Sequence, residues 1–318
     1  MICIICGKNT GKILTDKLRG GKQRKVYYCP ICKLGMLENK QSSKGLRQYY
    51  DKTYRKQHKP VLAKVLSPKE IFDIESPLQR YRLELIKPRL KKTMRILEVG
   101  CSAGMFLAAV KPYVKTAYGI DYDSRSARFA AAKTGFPVYT SDVETTGIPE
   151  KSLDMICMFH TLEHVQNPAE LLKKLSRYLK PGGLFFIEVP NLDDALLSAY
   201  GLKNYYENHW FHEAHLWYFS PKSLSRLLKK IGFASKIHFY QDYNFLNHMH
   251  WLAADKPQAT ASIGRGAPRL PLRASLDRSK AQALNQFIAK ANKAYKQILE
   301  QQGLAANMLL IAKKGKLS

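Results

Sequence analysis

Acidic residues and long apolar runs are what this sequence lacks. Its 318 residues include 52 Lys and Arg against 25 Asp and Glu, a formal net charge of +27. No apolar run approaches the roughly 18 residues that a bilayer-spanning helix needs, which excludes a helical membrane span. The opening stretch, MICIICGK, lacks the charged lead and long apolar run of a secretory signal. A soluble, cytoplasmic protein is therefore the expectation. Hydrophobic residues make up 45% of the chain, enough for an ordinary core, which excludes global disorder. Cysteine is sparse, with six residues. The length suits one α/β domain with appendages.

The positive charge is unevenly spread. Residues 1–95 hold 24 Lys and Arg against 7 Asp and Glu, residues 96–191 hold 10 of each, and residues 192–318 hold 18 against 8. A neutral middle between basic ends assigns any anionic partner, nucleic acid included, to the appendages. The plainer reading is a lysine-rich solubilising surface.

Four of the cysteines form Cys3-x2-Cys6 and Cys29-x2-Cys32. Each pair puts two thiolates on one tight knuckle, and two knuckles supply the tetrahedral sulfur set that Zn²⁺ prefers. Between them lie GKNTGK, a Gly-Gly turn and KVYYC, enough for the short hairpins of a zinc ribbon over residues 1–40. Iron also accepts four thiolates, and disulfides are disfavoured in a reducing compartment. Cys101 and Cys157 fall in apolar, strand-like contexts and read as core.

Residues 41–60 are polar, basic and tyrosine-rich, a linker or docking segment; helical spacing then runs over 76–92 until Pro88. Residues 41–92 thus connect the ribbon to the α/β domain. From residue 94 strands alternate with helix-length segments: strand 94–99, helix 104–111, TAYGIDYD, SRSARFAAAKTG, PVYTSD, LDMICMF, a helix NPAELLKKLSRYLK closed by Pro181-Gly182-Gly183, and LFFIEVP. This order predicts a parallel sheet with helices on both faces. A helix over SPKSLSRLLKKIGF, a strand ASKIHFYQ, a flexible insertion over 255–275, a helix over 276–302 and a last strand NMLLIAKK complete the chain.

Gly100-Cys101-Ser102-Ala103-Gly104 admits two readings. It matches the G-x-S-x-G elbow of a hydrolase nucleophile, and it matches a cofactor loop. Its place after the first strand of the domain opposes the elbow, which normally follows several strands and an oxyanion loop. Glu98, just before the turn, suits a cationic amino-acid group. Asp121 closes the next strand, 21 residues after Gly100, where nucleotide folds place an acid for ribose hydroxyls. Gly100 and Gly104 let backbone approach a ligand. An NAD fingerprint fails, because the second glycine is missing and the third is out of register.

Taken together, ILEVGCSAGMF, GIDYD and TSDVETTGIPEKSLDMICMFHTLEHVQNPAELLKKLSRYLKPGGLFFIEVPN resemble a class I S-adenosylmethionine-dependent methyltransferase over about residues 94–240 and the final strand. The resemblance implies a Rossmann-like α/β sheet of seven strands, order 3-2-1-4-5-7-6, over residues 93–318, with 241–304 an enlarged connection before the last strand. It implies S-adenosylmethionine as cofactor, with Glu98, Gly100, Ser102 and Gly104 at the methionyl part. Asp121 then faces the ribose and Asp142 the adenine, with Val143 beside the ring, and Tyr122 and Phe159 are further expected cofactor-binding residues. The family usually has glycine where Ser102 stands, so Ser102 is expected to be a bystander.

NHWFHEAHLWYFS (208–220) is dense in histidine and aromatics. His212-Glu213-Ala214-His215 is H-E-x-H, not the H-E-x-x-H of zinc proteases. One reading is a packed helix with locally satisfied histidines, and another is a second metal site from the i, i+3 pair. The third is part of an acceptor pocket, since this segment follows the fifth strand, at the sheet edge where α/β folds bind ligands. With the four-cysteine module, HLWYFSPKSLSRLLKKIGF resembles methyltransferases of nucleotide sugars or surface polysaccharides. In the sugar C-methyltransferases among them a histidine acts as base at the place His215 occupies, although Ala214 stands where they carry a carboxylate. FHTLEHV adds His160, Glu163 and His164, the last a second candidate base. The expected activity is methyl transfer to a sugar-like or other small acceptor. Its rivals are an RNA methyltransferase that grips phosphates through its basic flanks and a non-catalytic adapter.

Overall fold

The computed structural model describes residues 1–38, 60–61 and 64–314. The expected linker or docking segment lies outside them, save Pro60 at its end. The principal strands are β1 (Ile13–Leu18), β2 (Lys22–Cys29), β3 (Leu34–Leu37), β4 (Arg95–Val99), β5 (Thr116–Ile120), β6 (Val138–Tyr139), β7 (Leu153–Phe159), β8 (Leu179–Pro190), β9 (Trp217–Phe219), β10 (Phe233–Tyr240) and β11 (Asn307–Lys314). The principal helices are α1 (Pro68–Glu75), α2 (Arg80–Ile86), α3 (Met105–Val110), α4 (Ser124–Thr134), α5 (Pro168–Ser176), α6 (Pro221–Lys230), α7 (Phe245–Ala254) and α8 (Arg278–Gln301).

Seven strands form one sheet in the order β6-β5-β4-β7-β8-β11-β10. Numbered within the domain this is 3-2-1-4-5-7-6, the Rossmann-like methyltransferase order that the resemblance implied. The central pairs β4–β5, β4–β7, β5–β6 and β7–β8 are parallel. Burial explains their composition. LDMICMF in β7 is nearly continuous apolar sequence and almost wholly buried, as a strand covered on both faces must be.

Contacts divide the chain into two compact units. One takes residues Met1–Glu38, Val189–Leu224 and Ile237–Leu309; the other takes the chain between Glu38 and Val189, Ser225–Lys236 and the end from Leu310. In the second unit α1 starts in a capping box, with the Ser67 hydroxyl accepting from the Glu70 N–H and the Glu70 carboxylate accepting from the Ser67 N–H. Its Ile71 packs with Ala103 and Met105. Asp123 caps α4 through the N–H groups of Arg125 and Ser126, and Gly135 ends it in the left-handed region.

In the first unit β1, β2, β3 and β9 make a four-stranded sheet, with antiparallel pairing throughout. The pairings β1–β2 and β2–β3 are hairpins, and a strand from residues 217–219 extends them. Leu299 of α8 packs with Ala195 and Ala305.

Two local expectations are corrected. Pro181-Gly182-Gly183 does not end the helix before it; it lies inside β8, where the register shifts between Leu179 and Leu184. Gly182 stands at φ +75° within this shift. Residues 208–220 are not a helix: a single π-turn over Tyr206–Trp210 leads through an irregular turn into β9. The stretch 255–275 holds a helical turn, Ala261–Arg265, whose Ile263 and Gly266 carbonyls accept from the Asn244 amide. No helix among the described residues is long and apolar enough to cross a membrane.

Candidate active site

β4 and β5 bring the two acids to neighbouring strand tips, with Val99 opposite Ile120 in register. The chain then bends through three left-handed residues, Gly100 (φ +80°), Ser102 (φ +50°) and Gly104 (φ +80°). The bend is tied to β5 at several points. The N–H groups of Gly100 and Cys101 donate to the Ile120 carbonyl at 2.7 and 3.1 Å. The Ser102 N–H donates to Asp121 Oδ2 at 2.7 Å, and the Asp123 N–H to Asp121 Oδ1 at 2.9 Å. Asp121 is half-buried. Glu98 is 4% exposed, and its Oε2 is buried without a hydrogen-bond partner. Burial pushes this carboxyl well above the usual range, the Arg82 guanidinium opposes, and Asp121 adds to the rise.

The glycines have a reason nearer than a ligand. A Cβ on Gly100 would come within 2.2 Å of Thr161 Oγ1, and one on Gly104 within 2.8 Å of the Ala130 methyl. Both the sign of φ and the neighbouring side chains exclude a larger residue. On the expected adenine side, the Tyr122 hydroxyl donates to Asp142; Asp142 is exposed and Val143 buried.

A buried ionic cluster that sequence reasoning did not anticipate lies in the same unit. Glu188, wholly buried in β8, accepts from Arg82 Nε at 2.5 Å and from the Tyr81 hydroxyl, and pairs with His160 Nε2 at 3.1 Å. The Arg82 guanidinium covers the Phe159 ring at 4.3 Å, and Phe106 and Phe186 contact that ring at centroid distances of 4.6 and 5.2 Å. His160 stands at φ +48° with Nδ1 3.4 Å from Glu163. The available signal was one acid within the apolar run LFFIEVP, since a buried carboxylate requires partners.

In the first unit, the sulfur atoms of Cys3, Cys6, Cys29 and Cys32 all lie within 4.8 Å of one another. Cys6 Sγ and Cys29 Sγ are 3.7 Å apart. Ligands at the Zn–S distance in a tetrahedron stand about 3.8 Å apart, whereas a disulfide closes to about 2.05 Å. None of the six cysteines is joined in a disulfide.

Residues 73–236 match the family described as a methyltransferase domain. The chain belongs to that methyltransferase family. The chain is 27% identical over 99 residues to a probable S-adenosylmethionine-dependent methyltransferase of Mycolicibacterium smegmatis, over 30% of this chain and 38% of that one. It is 32% identical over 104 residues to a ubiquinone biosynthesis O-methyltransferase of Paracidovorax citrulli, over 30% of this chain and 44% of that one. The chain thus spans less than half the length of either relative. A crystal structure of a SAM dependent methyltransferase from Archaeoglobus fulgidus aligns with TM-score 0.48 and 23% identity, over 77% of this chain and 97% of that one.

The two candidate bases fall in different units of the chain. His164 ends the 3-10 turn Leu162–His164 after β7 and is buried, its Nε2 4.0 Å from Glu163. His215 is half-buried before β9, its ring 3.8 Å from that of His212. Most aromatics of residues 208–220 serve the core of their unit: Phe211, Tyr218 and Phe219 are buried to within 1% exposure. Trp210, His212 and His215 stay half-buried. Burial, with the Arg19 cation beside it, lowers His209 to about 4, so its ring is neutral at physiological pH.

Proposed function

We propose that this chain transfers a methyl group from S-adenosylmethionine to a sugar-like or other small acceptor. The observation that carries the reading is the pair of acids, Glu98 and Asp121, at adjacent strand tips around the left-handed bend at 100–104. The residues fit the cofactor. The partnerless, buried Oε2 of Glu98 suits the methionyl ammonium, whose charge would offset the cost of burying the carboxylate. Asp121 would face the ribose hydroxyls and Asp142 and Val143 the adenine, with Tyr122 and Phe159 also lining the cofactor. The bend itself supplies Gly100, Ser102 and Gly104.

When bound, the sulfonium supplies an already activated methyl group. The work of the chain's own residues is alignment of the acceptor for in-line attack and exclusion of water. Where the acceptor atom must lose a proton, His215 or His164 would take it. The sugar-like acceptor is supported by the resemblance over residues 215–233. The four thiolates of Cys3, Cys6, Cys29 and Cys32 would hold Zn²⁺ in a closed site that folds the ribbon.

Replacing Asp121 with alanine is expected to weaken S-adenosylmethionine binding more than tenfold in a calorimetric titration, while Ser102→Ala leaves methyl transfer intact. Unchanged affinity in the first variant removes the cofactor assignment. Loss of activity in the second, with binding retained, restores Ser102 as a reacting group.

A further inference from the structure

The first unit contains a connection that neither the cysteine motif nor the methyltransferase motifs imply. Residues 206–219 are built onto the ribbon sheet. β9 pairs antiparallel with β3, Trp217 opposite Met36, Tyr218 opposite Gly35 and Phe219 opposite Leu34. A Cβ on Gly35 would fall 2.9 Å from the Tyr218 Cβ, so glycine there sets how closely the strands approach. The Leu37 N–H donates to the Leu216 carbonyl at 2.9 Å, and the Arg19 N–H to the Phe211 carbonyl at 2.7 Å. Arg19 Nε donates to the His209 carbonyl at 2.5 Å, and the Tyr206 hydroxyl to the Leu14 carbonyl at 2.5 Å. Ion pairs Lys17–Glu207, at 3.4 Å, and Lys22–Glu213 join the same two stretches.

The sheet in turn hangs on the sulfurs. Cys29 is the last residue of β2 and pairs with Leu34, two residues after Cys32. A module of about 40 residues has too little core to fold alone, so its order depends on the staple and on what packs against it.

We infer that the four-thiolate site is a positioning device for residues 206–219, the segment that carries His215. This rests on the zinc reading and on the assignment of that segment to the acceptor side. The ribbon is then the scaffold that holds the segment's backbone through β3, Arg19 and Tyr206, and loss of the metal frees the segment before it affects cofactor binding.

The chain's three tryptophans report on this directly. Trp210 and Trp217 lie within the segment. Trp251 packs 4.9 Å from the rings of both Tyr205 and His209. The experiment uses the full chain: zinc per chain is measured, the metal is withdrawn by chelator with a thiol-capping mercurial, and three signals are followed. Expected are a red shift of tryptophan emission, new proteolytic cuts within 206–216, and S-adenosylmethionine affinity preserved within about threefold.

Arg19→Met combined with Tyr206→Phe leaves every cysteine in place. It is expected to keep one metal per chain and still reproduce the emission shift, which maintains the test should chelation unfold the chain. Metal that binds and leaves with no change in emission or cutting overturns this inference alone. A chain that neither contains nor takes up zinc overturns the zinc reading and this inference with it.

Discussion

At His160 a single imidazole lies between two buried carboxylates. Burial works against its protonated form, but the charges of Glu188 and Glu163 prevail and raise it to about 9. Glu188 is correspondingly held below the ordinary carboxylate range: burial opposes its ionisation, and the Arg82 and His160 cations overcome it. Because the folded value for His160 exceeds the unfolded one, its stabilisation is complete below about pH 6.5. It is lost as the pH rises through about 9. The ring is 39% exposed, so solvent screening reduces the effect to on the order of 1 kcal/mol. His160→Asn, whose new side chain tolerates the left-handed backbone, is expected to remove that part of the loss of urea midpoint between pH 6 and 9.5. An identical pH slope in wild type and variant rejects the ion-pair origin.

The element that defines the candidate site is the turn between β4 and α3, and packing explains it more than any motif does. Gly100→Ala combines a positive φ with a collision against Thr161 and is expected to cost about 2–4 kcal/mol in unfolding free energy. Adding Thr161→Ala is expected to recover the collision and leave the backbone strain, a coupling that a double-mutant cycle measures. Additive costs reject the contact. The turn was legible in sequence because small residues at fixed spacing mark it. Its reason was not, because Thr161 lies 61 positions away along the chain. Ser102 illustrates the same limit. A non-glycine residue at φ +50° is uncommon, and the bond from its N–H to Asp121 helps to hold it there.

For the whole molecule, a charge of +27 raises the RNA reading. A chain that grips phosphates through several Lys and Arg loses about 10³-fold or more in affinity between 50 and 200 mM salt. With basic residues scattered along the flanks, a short single-stranded RNA is expected to bind weakly and lose less than tenfold over that range in fluorescence anisotropy. Submicromolar binding with the steep slope favours an RNA acceptor over a sugar-like one.

Local chemistry, by itself, determined much of this protein. Apolar runs between small-residue turns specify a mostly parallel sheet, since strands covered on both faces must be apolar throughout. Two Cys-x2-Cys knuckles specify one sulfur cluster, and an acid at each of two strand ends specifies the carboxylates of the bend. Tertiary structure decided what depends on partners distant in sequence. Arg82 and Glu188 meet across more than 100 residues, residues 217–219 form a strand beside β3 rather than part of a helix, and Pro181-Gly182-Gly183 falls inside a strand at a register shift. The physical reason is that a buried charge, an open sheet edge and a left-handed residue each require compensation. The residue that supplies it is set by which segments the fold brings together, and short-range pattern has no access to that.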